Sequence, residues 1–358
     1  MEYYIAVTDK CNLNCSFCFR NGLPKRTKNK IFSAKDIQKF INMRARLDND
    51  KTTSIVFYGG EPLLNQILIE DIINILPRNE FIFSLYTNGL LLERIGQNIL
   101  DNLSYLIVSL DGDIEKNDKY KGNGTFDIIV KNISEIKKKF NGETVARITL
   151  TSESSLYRSI FPIIDNFDHF FWQFESTKSC ENSLRLHETY NRDLDVLLNY
   201  WIEKMQQGII CNFIPFQAIA TSIIWNNKIN TLRCGCGSSF IYIDSDGSCY
   251  TCDELVGYDE FYIGNIYEGI QFSGEYLYKD YIHFCSVCEV AGICGGRCIA
   301  AYIKYSADKF KYYCHNTKIL INKMQKMTPI IKKIISEQGF SYDNIATFPA
   351  SHMFEEIP

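Results

Sequence analysis

The sequence predicts an α/β fold on parallel strands, followed by a small cysteine-rich module. Three observations predict it. Short β-branched and aromatic runs alternate with amphipathic stretches from Tyr3 to Phe174. Polar, ligand-like signatures recur where those runs end. Of the 14 cysteines, nine crowd between Cys234 and Cys314.

In chain order, Tyr3 to Thr8, Ser54 to Tyr58, Phe81 to Thr87, Tyr105 to Leu110, Thr144 to Thr151 and Phe170 to Glu175 read as strands. Between them Ser33 to Leu47 reads as a helix opened by a capping-box-like pair, Ser33 and Asp36. Asn65 to Leu76, Leu91 to Leu103 and Phe126 to Phe140 have the same apolar helical spacing. Repeated βα units imply parallel strands joined by right-handed crossovers, as a closed barrel, a partial barrel or an open sheet. In each case a ligand sits at the carboxyl ends of the strands. Cys11 to Cys18 follow the first strand, Gly59-Gly60-Glu61-Pro62 the second, Thr87-Asn88-Gly89 the third and Ser109-Leu110-Asp111-Gly112 the fourth. Four independent signatures therefore share one rim. Beyond Glu175 come a long helix, Leu186 to Gln207, and an aromatic segment, Phe213 to Trp225, to which the pattern assigns no role. Phe240 to Asp244 and Cys249 to Thr251 flank the turn Ser245-Asp246-Gly247-Ser248 as a hairpin, Ile299 to Tyr305 and Lys318 to Gln338 read as helices, and Phe340 to Pro358 is a tail. The expected domains are 1–210, a cysteine-rich domain 211–328, and a C-terminal end 329–358.

Composition narrows the function. With 358 residues, 46% hydrophobic and 22% charged, the chain is long enough for a large core and unlike disordered, collagenous or coiled-coil sequences. Its 38 Lys+Arg against 42 Asp+Glu form no basic stripe, which argues against a nucleic-acid partner. Without an apolar run of about 18 residues or a signal-peptide pattern, the expected setting is cytoplasmic, with no membrane partner. Thiols there stay reduced, so the clustered cysteines read as metal ligands rather than disulfides, and only Cys180 and Cys211 read as isolated thiols.

Cys11-x3-Cys15-x2-Cys18 supplies three thiolates on one loop. Three suit a [4Fe–4S] cube whose fourth iron stays open to a substrate. Tetrahedral zinc would want a fourth ligand, and the first histidine in the chain is His169.

The run Cys11-Asn12-Leu13-Asn14-Cys15-Ser16-Phe17-Cys18-Phe19 resembles the signature loop of radical S-adenosylmethionine enzymes. The resemblance implies a partial (βα)6 barrel, S-adenosylmethionine held through its amino and carboxylate groups on the open iron, and a 5′-deoxyadenosyl radical that takes hydrogen from substrate. It further implies that the cofactor is met by Gly59, Gly60 and Glu61, by Asn88, Ser109 and Asp111, and by Arg147 at its carboxylate. The C-terminal pattern, Cys234-x-Cys236, Gly247-x4-Cys252 and Cys285-x2-Cys288-x5-Cys294-x3-Cys298 with Cys314 beyond, resembles the SPASM domain, which holds auxiliary [4Fe–4S] clusters. That likeness assigns Cys285, Cys288, Cys294 and Cys314 to an outer cluster and Cys234, Cys252 and Cys298 to an inner one. The fourth inner ligand is Cys236, Cys249 or an open position, with Cys236 favoured. Zinc ribbons would share the Cys-x2-Cys spacing but not its continuation.

Relatives with this domain mostly oxidise peptides or proteins by two electrons. Asp253 matches the place where sulfatase-maturing relatives keep a general base. The chain departs from them at Tyr58, where they carry Gln, and at Phe19-Arg20, where they tend to have Phe-Tyr. Phe57 to Asn65 looks more like the thioether-forming maturases. The resemblance therefore implies cross-linking of a Cys-containing precursor peptide, with formylglycine formation as the alternative and an electron donor such as flavodoxin or ferredoxin. Ten residues precede Cys11, too few for a winged-helix recognition domain. Leader binding then falls to a separate protein or to a barrel surface such as the aromatic stretch Phe261 to Tyr281.

Overall fold

The computed structural model describes residues 1–22, 32–45, 53–151, 153–175, 183–229, 231–271, 285–304, 307–346 and 356–358. The strands are β1 (Glu2–Thr8), β2 (Thr53–Gly59), β3 (Phe81–Thr87), β4 (Leu103–Ser109), β5 (Glu143–Leu150), β6 (His169–Phe174), β7 (Asn212–Phe213), β8 (Phe240–Ile243), β9 (Ser248–Tyr250), β10 (Tyr262–Asn265) and β11 (Gly269–Ile270). The first eight helices are α1 (Ala34–Ala45), α2 (Gln66–Ile75), α3 (Gln97–Asn102), α4 (Ile114–Lys121), α5 (Thr125–Ile136), α6 (Leu156–Ile160), α7 (Ser183–Gln206) and α8 (Ile214–Ile224). Ala291–Cys294, Ile299–Lys304, Ala307–Gln338 and Tyr342–Ile345 follow. Packing divides the chain into two compact units, one of residues 1–109, 127–144 and 235–280, the other of 110–126, 145–234 and 281–358.

In the first unit β1 pairs in parallel with β2 on one side and β8 on the other. β2 pairs with β3 and β3 with β4, also in parallel. Ile5 opposes both Phe57 and Ile243. All seven β1 residues are buried, as a parallel strand covered on both faces requires. Ser33 and Asp36 cap α1 reciprocally: Asp36 N–H donates to Ser33 Oγ at 3.3 Å and Ser33 N–H to Asp36 Oδ2 at 2.8 Å. On α2, Leu68, Ile69, Ile72 and Ile73 turn inward at helical spacing. From β8 the sheet runs antiparallel through β9 and β10 to β11.

The single helix expected over Leu91 to Leu103 is instead a 3-10 turn, Leu92–Arg94, followed by α3. Gln66 causes the break, because its side-chain amide donates to Arg94 O at 3.1 Å and accepts from Gly96 N–H at 2.8 Å. A tertiary partner satisfies groups that a continuous helix would have bonded.

The second unit holds β5–β6–β7 in parallel, with Val145 opposite His169 and Phe170 opposite Phe213. The unassigned aromatic segment is α8, with Pro215 in its first turn and Ile214 to Ser222 all buried. It lies on the helix Ala307–Gln338, as does α7. That helix starts eleven residues before the expected Lys318. Fully buried Trp172, Trp201 and Phe216 fill this core. Among the described residues no helix is long and apolar enough to cross a membrane.

Candidate cluster and cofactor site

The three-thiol loop leaves the carboxyl end of β1, and its neighbours come from the ends of β2 and β3. Gly60 N–H donates to Thr8 O at 3.0 Å and Glu61 N–H to Lys10 O at 2.8 Å. A Cβ on Gly59, at φ +138°, would lie 2.1 Å from Thr8 O, and one on Gly60 2.1 Å from Lys10 O. Both glycines thus let β2 lie directly on the chain entering Cys11. Gly60→Ala pushes that entry aside. The expected result is a loss of about four of the irons bound after anaerobic reconstitution, read as iron per chain beside the parent.

Glu61 is fully buried. Its carboxylate accepts from Thr87 Oγ1 at 2.8 Å, Asn88 N–H at 2.8 Å and Leu63 N–H at 3.1 Å. It therefore sets the third-strand loop rather than facing outward. Asn88 Nδ2 donates to Asn12 Oδ1 at 2.8 Å and lies 3.9 Å from Cys11 Sγ, which accepts from Leu13 N–H at 3.4 Å. Within the loop, Cys18 N–H donates to Cys15 O at 3.1 Å and Asn21 Nδ2 to the same oxygen at 3.0 Å. Cys11 is exposed as a residue, yet local desolvation pushes its thiol up, with the negative Glu61 and Cys18 adding to the shift. Bound iron reverses that sign and favours thiolates.

Ser109 ends β4, half-buried. In the second unit Asp111 has both carboxylate oxygens engaged: Lys121 Nζ stands 3.0 Å from Oδ2, and Thr149 N–H donates to Oδ1 at 2.9 Å. Burial pushes this carboxyl up, but Lys121 and then Arg147 outweigh it and hold it below the usual carboxylate value. Arg147 Nη1 donates to Thr149 Oγ1 at 2.9 Å. Asp111 thus acts on its own unit's cations.

The cysteine-rich region supplies a second set of thiols. Cys288 N–H donates to Cys285 O at 3.0 Å, and Cys294 ends a short helix that Gly295 closes at φ +73°. Burial, then Cys294 and Cys288, pushes the Cys285 thiol up to about 11. The Cys314 thiol is pushed up to about 12, by burial and by Cys294, Cys285 and Cys288, against the opposing charge of Arg297. These four sulfurs are near enough to feel one another. Among the described residues no three His, Cys, Asp or Glu side chains stand in single-ion ligand geometry.

Of the inner residues, Cys252 and Cys236 hydrogen-bond each other, which with burial raises the Cys252 thiol. Cys252 Sγ also lies 3.7 Å from Asp253 Oδ1. Cys249 is fully buried and directs its thiol at Gly247 O in its own turn, 3.8 Å away. Cys234 and Cys298, in the other unit, are partly exposed and, like every described cysteine, free of disulfides. Cys180 lies outside the described residues. In the aromatic stretch Phe261 is buried and Tyr262 and Tyr267 are exposed, while 272–281 lie outside the described residues.

Two arginines, Arg233, which the motif reading passed over, and Arg20, which it noted only as a departure, organise these sites. Buried Arg233, next to Cys234, donates to Ile293 O at 2.9 Å and Ser222 Oγ at 2.7 Å and pairs with Glu356, so it holds the turn that carries Cys294. Arg20, two residues after Cys18, donates to Tyr242 Oη at 3.1 Å. An arginine beside a ligand loop was the available signal for each.

A loop of three cysteines at the end of the first strand of a parallel α/β fold, with a glycine pair laid against it, is the arrangement that a radical S-adenosylmethionine domain requires. The family profile of the Radical SAM superfamily matches residues 5–154, which form its radical SAM domain. Such a domain binds S-adenosylmethionine and one [4Fe–4S] cluster. The chain is 27% identical over 281 residues to a Cysteine-type anaerobic sulfatase-maturating enzyme of Clostridium novyi (strain NT), covering 73% of this chain and 75% of that protein. It is 25% identical over 356 residues to the Radical SAM cyclopropyl synthase TigE of Paramaledivibacter caminithermalis, covering 89% and 73% respectively. Its fold is similar to that of native anSMEcpe with bound AdoMet, at TM-score 0.72 and 19% identity over 94% of this chain and 99% of the other. The same protein has been solved with bound AdoMet and the Cp18Cys peptide.

Proposed function

We propose that the protein is a radical S-adenosylmethionine maturase of the SPASM type that oxidises a Cys-containing precursor peptide by two electrons, forming a thioether cross-link. The observation that carries this reading is the coexistence of the Cys11, Cys15, Cys18 loop with a second set of mutually interacting thiols, Cys285, Cys288, Cys294 and Cys314. An enzyme that only needed a hydrogen-abstracting radical would require the first alone. Relatives that mature sulfatases or build cyclopropyl groups, and a similar fold bound to a peptide, support a peptide substrate.

In this reading Cys11, Cys15 and Cys18 hold the barrel cluster, Cys285, Cys288, Cys294 and Cys314 the outer one, and, by the SPASM resemblance, Cys234, Cys252 and Cys298 the inner one, with Cys236 favoured over Cys249 or an open position as its fourth ligand. Reduced cluster and S-adenosylmethionine together supply a hydrogen-abstracting radical. Gly59 and Gly60 present backbone carbonyls to the cofactor's amino group, Asn88 and Ser109 take its polar edges, and Arg147 takes its carboxylate, with Asp111 acting through Arg147. Asp253 accepts the proton of the peptide thiol. The product would have two hydrogens fewer and one thiol fewer than the peptide: one hydrogen atom goes to the 5′-deoxyadenosyl radical and one proton to Asp253, the electron left over would pass to the auxiliary clusters, and flavodoxin or ferredoxin would donate the electron that cleaves S-adenosylmethionine. Leader recognition belongs to a separate protein or to the chain's own surface, and the free thiols suit a cytoplasmic setting.

A second reading, formylglycine formation, is favoured by one observation, the carboxylate of Asp253 beside Cys252. Anaerobic incubation with a library of Cys-containing peptides separates the two. A product lighter by two hydrogens that no longer alkylates supports the thioether, a hydrazide-reactive aldehyde supports formylglycine, and neither product defeats both. Asp253→Asn is expected to lower product formation about 100-fold or more while 5′-deoxyadenosine release continues, measured side by side in one assay.

A further inference from the structure

The departure at Arg20 has a structural partner set. Arg20 Nη1 donates to Tyr242 Oη at 3.1 Å, and that hydroxyl donates to Asp244 Oδ1 at 3.3 Å. The same carboxylate oxygen accepts from Ser245 N–H at 2.9 Å. Tyr242 is fully buried and Asp244 nearly so. Around them the Tyr242 and Tyr58 rings meet edge to face at 6.2 Å, and Tyr58 meets Tyr86 at 5.2 Å. A buried phenol that accepts from a cation and donates to an anion has its one rotatable proton committed, and it offsets two charges that would be costly alone.

We propose that Arg20, Tyr242 and Asp244 form a latch that holds the exit of the three-thiol loop, making Arg20 a positioning residue for the cluster that the loop carries. The entry of the loop is tied by Gly60 and Glu61 to Thr8 and Lys10, and its first turn by Asn88 to Asn12. Its exit is tied through Arg20 to β8. That strand continues through β9 to Cys252 and Asp253. The thiol loop and the segment bearing the proposed base therefore share one anchoring strand, so their spacing is set by the C-terminal hairpin and not by the barrel strands alone. A tyrosine at position 20 would carry no charge to balance Asp244. The inference rests on the reading of Cys11, Cys15 and Cys18 as cluster ligands.

The test compares Arg20→Gln, Tyr242→Phe, their double variant and Arg20→Lys by hydrogen exchange of amides 11–22 in the cluster-free protein. A second readout is the rate of iron loss to a chelator after reconstitution. Each single variant is expected to speed both by about tenfold while amides of α7 keep the parent rate. The double variant should be no worse than the stronger single, since both break one latch, and Arg20→Lys should fall between Arg20→Gln and the parent. Parent-like exchange in Arg20→Gln overturns the latch, as does a double variant equal to the product of the singles. Should the loop hold no cluster, the parent would contain about 8 irons rather than about 12, which defeats the functional reading while the exchange result still decides the latch.

Discussion

Replacing Cys11, Cys15 and Cys18 together by Ala lowers the iron of the reconstituted chain from about 12 atoms to about 8, with labile sulfide falling in step, and abolishes cleavage of S-adenosylmethionine. The expected size follows from ligand arithmetic. On the proposed assignment, three thiolates would hold one cube and the eight others two more. Those eight do not depend on the loop: Cys285 to Cys314 interact with one another, and Cys236 with Cys252. The loop is exposed to half-buried and leaves β1 without contributing to the sheet, so the triple variant should fold and unfold like the parent. Iron, sulfide and 5′-deoxyadenosine measured on one sample check it. A chain that held zinc and almost no iron would end the radical reading.

Lys121→Met is expected to destabilise the protein by about 3–5 kcal/mol, the cost of stripping a buried carboxylate of its ion-pair partner. The Lys121 and Asp111 side chains are 2% and 0% exposed and 3.0 Å apart. Arg147 offsets part of the remaining charge, so the lower end of that range is the firmer expectation. The double variant Lys121→Met/Asp111→Asn should recover most of the loss, because it removes both charges and keeps an acceptor for Thr149 N–H. The pH dependence has a definite sign. Asp111 titrates below its ordinary value in the folded state, with burial opposing and Lys121 and Arg147 prevailing. The stability it contributes is therefore complete above about pH 4 and is lost as pH falls through the folded value. Denaturant unfolding of parent and variants at pH 7 and at pH 3 checks this: the gap between parent and Lys121→Met should narrow in acid.

How far the sequence reaches differs between the two kinds of information. Strand order, helix type and ligand spacing are local or periodic properties, so the parallel βα pattern, the hairpin around Asp246 and Gly247 and the Cys11 to Cys18 loop were legible from residues alone. Regularity failed where a distant group intervened. Gln66 breaks a well-patterned helix at Gly96, and α8 shows no amphipathic signal because Ile214 to Ser222 are all buried. At the site, spacing singled out the clustered thiols, and the glycine pair gained its role only from the resemblance. Only the tertiary structure turned Glu61 inward onto Thr87 and Asn88, engaged Asp111 with Lys121, aimed the buried Cys249 thiol at Gly247 O, and joined Arg20 to Asp244 through Tyr242. These are charge and hydrogen-bond pairings between residues far apart in the chain, decided by which groups lose their water together, and no local pattern records that.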